Sequence, residues 1–251
     1  MLTLLRGSLI ALFAFPVWSQ ETIRLNVAPG GFPPFTIITP GQEASGIVID
    51  ILRLVATKAG HEIQFMEIPR NRVERMVLQD ELDATPRAIE WTQNPTQFVF
   101  TEPMLSVRDV IFSNKSTPLI YLQPQDLENK RIGTRLGYTY PTLDSVFSSR
   151  KVSRTDVTNE RTVLLMLDAQ RVDAVVLNEM TALWIIKNEG WQDKFVYSRQ
   201  EVQSYAYRLM FNKKWAHFVQ MFDNELFAMK KDGRLARIIQ KYQPDRAVTQ
   251  N

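Results

Sequence analysis

The feature that most limits the fold is a unit at residues 163–187 and its echo about ninety residues earlier. Val163, Leu164 and Leu167 fall on one helical face, Arg171 and Val172 follow a polar break, and Asp173-Ala174-Val175-Val176-Leu177 is an apolar run of strand length. Asn178 is a preferred N-cap, and Met180, Leu183, Trp184 and Lys187 continue at helical spacing. The unit therefore reads as helix, tight turn, buried strand, helix. In the earlier copy, Met76, Val77, Leu82, Asp83 and Ala84 repeat Met166, Leu167, Val172, Asp173 and Ala174 in order and without a gap. A repeat at this spacing means two similar lobes, because solenoid units run only about 20–50 residues. Ligands of open α/β sheets bind outside the carboxyl ends of the strands, where helix N-termini present free N–H groups. The cleft between the two lobes is thus the expected working part.

The remaining chain follows the same alternation. Ile23, Leu25 and Val27 define a first strand that runs into Pro29-Gly30-Gly31-Phe32-Pro33-Pro34-Phe35, a loop stiffened by proline that brings two aromatic rings to the strand's end. A helix through Ile47, Ile51, Leu54 and Val55 stops at Gly60, and Ile63 to Ile68 is a second strand. Pro69 to Arg72 leads into the helix of Val73, Met76 and Val77. Strand and helix in turn argue for a mostly parallel α/β sheet in each lobe, flanked by helices. Val107 to Phe112 reads as a crossover into the second lobe. Phe195 to Ser198 reads as a short strand, and Tyr205 to Phe211 as the crossover back. Two helices close the chain, one stopping at Asp232-Gly233 and one before Pro244.

Residues 1–19 have the pattern of a cleavable secretory leader: one early positive charge at Arg6, an apolar run from Leu9 to Trp18, and small or compact residues before Gln20. A soluble periplasmic product is expected. The chain has no cysteine, and its histidines, His61 and His217, lie far apart, so neither a metal site nor a His-dependent nucleophilic triad is expected. The net charge of +3 is small and dispersed, which argues against nucleic acid as a partner. No cofactor is implied, and a monomer is expected.

Phe32-Pro33-Pro34-Phe35, Gly46-Ile47-Val48-Ile49-Asp50, Leu82-Asp83-Ala84, Phe100-Thr101-Glu102-Pro103, Gly137-Tyr138-Thr139, Val172-Asp173-Ala174 and the closing Ile239-Gln240-Lys241-Tyr242 follow one another in a specific order. In that order the chain resembles the bacterial extracellular solute-binding proteins of family 3, the polar amino-acid-binding type of periplasmic binding protein. The resemblance implies two lobes joined by two hinge crossovers, here residues 20–107 with 204–251 and residues 108–203. It also implies capture of a small-molecule solute by lobe closure, for an inner-membrane permease of ABC type or for a sensor.

The departures from the family pattern bear on the ligand. Amino-acid binders of the family carry an Arg about six residues before the Phe-Thr pair and an Asp after the second-lobe strand. Here those positions hold Asn94 and Asn178. An amide cannot supply the charge that offsets desolvation of a buried ionic group. Arg70, Arg72, Arg87 and Arg135 lie near strand ends, and Pro69 to Arg72 resembles a Pro-Trp-x-Arg stretch of a less characterised branch. Arg87 ranks first as the ligand's anion partner and Arg72 second. Phe32, Phe35, Trp91 and Tyr138 are the expected apolar wall, Thr139 and Asn178 the neutral hydrogen-bonding groups, and Glu179 the one nearby acid. The expected ligand is a small polar or anionic, carboxylate-bearing solute, with no catalytic residue. The competing readings are a cyclohexadienyl-dehydratase-like enzyme using Glu179, and a signalling module with a degenerate cleft.

Overall fold

Ile23, Leu25 and Val27 are inaccessible to solvent because the strand they form is covered by the apolar face of the following helix, Ile47, Ile51, Leu52 and Val55. A computed structural model describes residues 21–243 and 248–250; the expected leader lies outside them. Among the described residues, β1 (Thr22–Val27), β2 (Glu62–Glu67) and β3 (Ala84–Arg87) are parallel neighbours, with α1 (Ile47–Lys58) and α2 (Arg70–Leu78) as their crossovers. In the second half β6 (Arg131–Arg135), β7 (Ser153–Val157) and β8 (Ala174–Asn178) are parallel, with α3 (Asp144–Ser148), α4 (Glu160–Asp168) and α5 (Glu179–Asn188) around them. The two sets join through β5 (Leu105–Asn114) and β9 (Phe195–Phe211), an antiparallel pair, giving the strand order β2-β1-β3-β9-β5-β8-β6-β7. The short β4 (Val99–Phe100) and β10 (Thr249–Gln250) also pair with β9. The helices α6 (Ala216–Lys231) and α7 (Arg234–Tyr242) pack beside α1. The mixed α/β architecture expected from the sequence is present.

Two differences have physical causes. The two segments read as separate strands, Phe195 to Ser198 and Tyr205 to Phe211, are one 17-residue strand. The polar stretch Arg199-Gln200-Glu201 interrupts the hydrophobic pattern without ending the backbone pairing, and the mismatch is absorbed by register shifts against β5 at Asp109/Val110 and Val110/Phe112. The tail also does not stay with the first half: Val248 is buried among Phe195, Tyr197 and Leu183, and β10 lies along Val196 and Tyr197. Otherwise one set of buried side chains draws on residues 23–107 and 205–242, and another on residues 110–202.

The repeat is geometric as well as sequential. Asp83 accepts from the backbone N–H of Arg24 at 2.8 Å and from its guanidinium at 2.7 and 2.9 Å. Asp173 accepts from the backbone N–H of Arg131 at 2.7 Å and from its guanidinium at 3.2 and 2.7 Å. Asp80 and Gln170, equivalent in the repeat, both take positive φ, 59° and 54°, as each helix turns into its strand. In each copy the Asp ties its strand to the neighbouring one. It directly precedes the strand whose carboxyl end reaches the cleft.

Candidate functional site

The carboxyl ends of β1, β3, β6 and β8 converge on one cleft. Its outer part is a cavity of about 450 Å³ lined from the first half by Phe32, Arg70, Arg87, Trp91 and Tyr207, and from the second by Arg135 and Tyr138. An inner chamber of about 20 Å³ is lined by Phe32, Arg70, Trp91 and Tyr205 together with Asp109, Tyr138, Thr139 and Asn178. The two spaces share Phe32, Arg70, Trp91 and Tyr138, so they form one site with a wide mouth and a narrow end. Its size is that of a small-molecule site.

Arg70 is the cation that the geometry frees for a ligand. As the first residue of α2 it projects into the cleft, its guanidinium 5.3 Å from the Trp91 ring and 5.1 Å from the Tyr138 ring. Among the described residues no carboxylate lies within ion-pair distance of it. A guanidinium stacked between rings keeps its N–H edge free for a planar anion. Arg135 also stands over Tyr138, at 5.7 Å, but its charge is engaged by Glu160 at the start of α4. Burial, and then the negative charge of Glu160, push the Tyr138 phenol up to about 12, so its hydroxyl stays protonated and can donate.

Arg87 does line the outer cavity, yet its guanidinium is consumed by the protein. It pairs with Glu74 and donates to the Trp91 carbonyl at 2.5 Å and to Thr92 Oγ1 at 3.3 Å. Burial, followed by the nearby Arg70 cation, lowers its proton affinity, and Glu74 opposes that shift. Its work is to hold the Trp91 loop in place. Arg72 is exposed and lines neither part of the cleft, because it follows Arg70 by two positions on α2 and points elsewhere. Phe35 is fully buried behind Phe32, with ring centroids 5.2 Å apart, and packs edge-on to Tyr207; it supports the wall without forming it.

Glu179 lines neither space. It is bound by Arg108 through two hydrogen bonds of 2.5 and 2.9 Å. Asn178 does reach the inner chamber while capping α5, accepting from the Thr181 N–H at 3.1 Å. Asn94 is exposed. The acid that does face the chamber is Asp109, which the sequence reading overlooked. It is paired across the sheet with Asn178, and its Oδ2 accepts from Gln203 Nε2 at 2.9 Å. An acid in the strand Val107 to Phe112 was the available clue, since a buried charge on a central strand needs a reason to be there. Tyr205 and Tyr207, alternate residues of β9, were likewise read only as strand pattern.

The family's sequence pattern, bacterial extracellular solute-binding proteins, family 3, matches residues 25–245. The chain belongs to that family. The chain is similar to the arginine-binding extracellular protein ArtP of Bacillus subtilis (strain 168), 21% identical over 204 residues, 80% of this chain and 79% of ArtP. The chain is similar in structure to AbpA of Streptococcus pneumoniae, the substrate-binding protein of an amino acid ABC transporter bound to L-arginine. The TM-score is 0.72 at 19% identity, covering 88% of this chain and 94% of that one. It is also similar to the ancestral amino acid-binding protein AncCDT-1, a precursor of cyclohexadienyl dehydratase, with a TM-score of 0.73 at 18% identity, covering 89% and 96%. At these identities the structural likeness establishes the two-lobed solute-binding fold. Among the described residues of this family 3 protein, no helix is long and apolar enough to cross a membrane.

Proposed function

We propose that this family 3 protein is exported, with residues 1–19 as its leader, and captures a small carboxylate-bearing solute between two lobes. The lobes are residues 20–107 with 204–243, and residues 108–203, with the tail at 248–250 returning to the second. The protein delivers its solute to an inner-membrane importer or sensor. The observation that carries the reading is Arg70, a cation without a carboxylate partner among the described residues, held between Trp91 and Tyr138 at the wall of a cavity of suitable size. A carboxylate there would gain a charge-assisted, bidentate hydrogen bond in a site shielded by Phe32 and Tyr207.

The dehydratase reading drew on Glu179, and that residue is committed to Arg108 outside both parts of the cleft. No turnover of prephenate or arogenate is expected. Calorimetry and thermal shift against a panel of amino acids and other small carboxylates test the proposal. At a hundredfold excess over Kd a bound solute stabilises by about 2.7 kcal/mol. Arg70→Ala should weaken binding by roughly 1.5–3 kcal/mol, the range for a hydrogen bond to a charged group. Binding of carboxylates that is indifferent to Arg70→Ala would reject the assignment.

A further inference from the structure

We infer that the groove between α1 and α7 is a second binding surface, and that its occupant is an acidic amphipathic helix of another protein. The groove has a volume of about 800 Å³ and shares no lining residue with either part of the cleft. It stands whether or not the cleft takes a carboxylate.

The sequence lays this surface out at helical spacing. α7 turns Leu235, Ile239 and Tyr242 toward the core of the first half, which leaves Arg234, Arg237 and Lys241 in a row along the groove, about one cation per turn. α1 buries Ile51, Leu52 and Val55 and leaves Arg53, Leu54 and Lys58 to line the other side. Leu54, 47% exposed, and Ile238 supply the apolar lining. Apolar lining with cations on both flanking helices is the complement of an amphipathic helix whose apolar stripe is bordered by acids.

The row on α7 costs the helix that carries it. No acid occurs from Arg234 to Tyr242, and like charges three and four residues apart repel. Arg234 also stands at the first position of the helix, where the dipole disfavours a cation. Internal acids offset part of this. Glu225 of α6 pairs with both Lys58 and Arg234, Asp232 pairs with Arg234 at 2.7 Å, and Asp50 with Lys241 at 2.8 Å. One cation on each helix is left over. Among the described residues no carboxylate lies within ion-pair distance of Arg237, and its hydrogen bond to the Asp232 carbonyl is long, at 3.4 Å. Asp232 feels its charge only from beyond ion-pair distance. Arg53 reaches the carboxylates of Glu43 and Asp50 only at 3.6 and 3.9 Å.

Exposure and shape set the kind of occupant. The side chains of Lys58 and Lys241 are 68% and 61% exposed, so water and salt screen them and a lone small anion is held weakly. Several such pairs along one segment, together with buried apolar area, hold a helix. The row from Arg234 to Lys241 spans about 10 Å at about 1.5 Å per residue, so a helix with one carboxylate per turn meets it in step. The surface is concave, and the headgroup plane of a bilayer would reach its rims without filling it.

The test is fluorescence anisotropy on the full chain at low salt, with three stapled helical peptides as probes. One carries Leu on one face and Glu on both flanks, the second replaces its Glu residues by Lys, and the third replaces its Leu residues by Ser. The wild type should bind the Glu–Leu helix about tenfold or more tighter than either of the others. Lys58, Arg234 and Lys241 keep their internal acids, so reversing the two spare cations reverses the sign of the groove. The double variant Arg53→Glu, Arg237→Glu should therefore bind the Lys–Leu helix tightest, a gain that misfolding cannot produce. Leu54→Ser should bring the Glu–Leu helix to within about threefold of the Glu–Ser helix. A wild type that binds the three alike, or none of them, overturns the inference without need of a variant. A Glu–Leu preference that survives the charge reversal overturns it as well. Two further outcomes would replace the peptide preference and overturn it in favour of another occupant. Co-sedimentation with phosphatidylglycerol vesicles that charge reversal abolishes would give the surface to a membrane. Self-association in sedimentation velocity, lost in the same variant, would give it to a second copy of the chain.

Discussion

Burying a carboxylate without a cation destabilises the folded chain, and Asp109 makes this measurable in the free protein. Its folded value near 6 lies above the ordinary 3.8 because desolvation outweighs the Gln203 hydrogen bond. Tyr138, Tyr140 and Tyr205 lie about it and are neutral at these pH values, and Arg70 is the cation among the chamber's lining residues. A raised folded value means that protonation favours folding. The stability from this group is present below the unfolded carboxylate range and is lost as pH rises through about 6. By neutral pH the loss is on the order of 3 kcal/mol. Asp109→Asn should therefore melt higher than the wild type at pH 8, and the gap should close below about pH 4, as read by thermal unfolding across that range. Arg87 behaves in the opposite sense. Removing it strands Glu74 and the Trp91 carbonyl, so Arg87→Ala should cost about 3 kcal/mol of stability whether or not a solute is present. A chemical denaturation midpoint unchanged in Arg87→Ala would return that residue to the ligand. Sequence order placed both side chains near strand ends. It could not say which guanidinium would meet an internal acid, because Glu74 lies thirteen residues away on a helix whose rotation only packing decides.

At the scale of elements the sequence was most legible where side chains alone set the pattern. The helix, turn and strand of each repeat follow from apolar spacing, and Asn178 caps α5 as its position suggested. The single strand β9 was not legible, since backbone pairing with β5 carries it through a polar stretch. The paired Asp motifs should differ in strength although they match in geometry. The Asp83 side chain is 1% exposed. Burial alone would raise its carboxyl, but hydrogen bonds from Arg24, Lys214 and Trp215 hold it well below the usual carboxylate range. Its contribution is present above the unfolded carboxylate value and is lost as pH falls through the depressed folded one. Asp83→Asn should cost about 3 kcal/mol at pH 7. The Asp173 side chain is 35% exposed, and Asp173→Asn should cost about 1 kcal/mol or less. Urea titrations of the two variants check the contrast; equal losses would mean that strand pairing, not burial, sets the value of the motif. Gly133 is constrained by its surroundings instead: a Cβ there would stand 2.5 Å from Val163 Cγ2, so Gly133→Ala should lower stability by about 1–3 kcal/mol through overpacking beneath α4.

At the scale of the whole molecule the question is what closes the cleft. The halves are joined by β5 and β9, whose pairing runs from Leu105↔Tyr207 to Asp109↔Gln203 before the first register shift. Asp109 thus sits at the joint between them. Across the cleft mouth, Arg70 from one half stacks on Tyr138 from the other. Such a contact at a half-exposed site contributes about 0.5–1 kcal/mol, which biases a two-state equilibrium only about two- to fivefold. A solute held by Arg70 and touching the second half's wall at Tyr138 would couple both halves and shift the equilibrium further, since closure is driven by differential affinity for the closed state. Small-angle scattering should show a smaller radius of gyration with a calorimetrically bound carboxylate than without it. Tyr138→Ala should leave the free protein's radius nearly unchanged while raising the solute concentration needed for compaction. A radius that is the same with and without a calorimetrically bound solute would mean that the halves form one rigid body, and that the site fills without hinge motion.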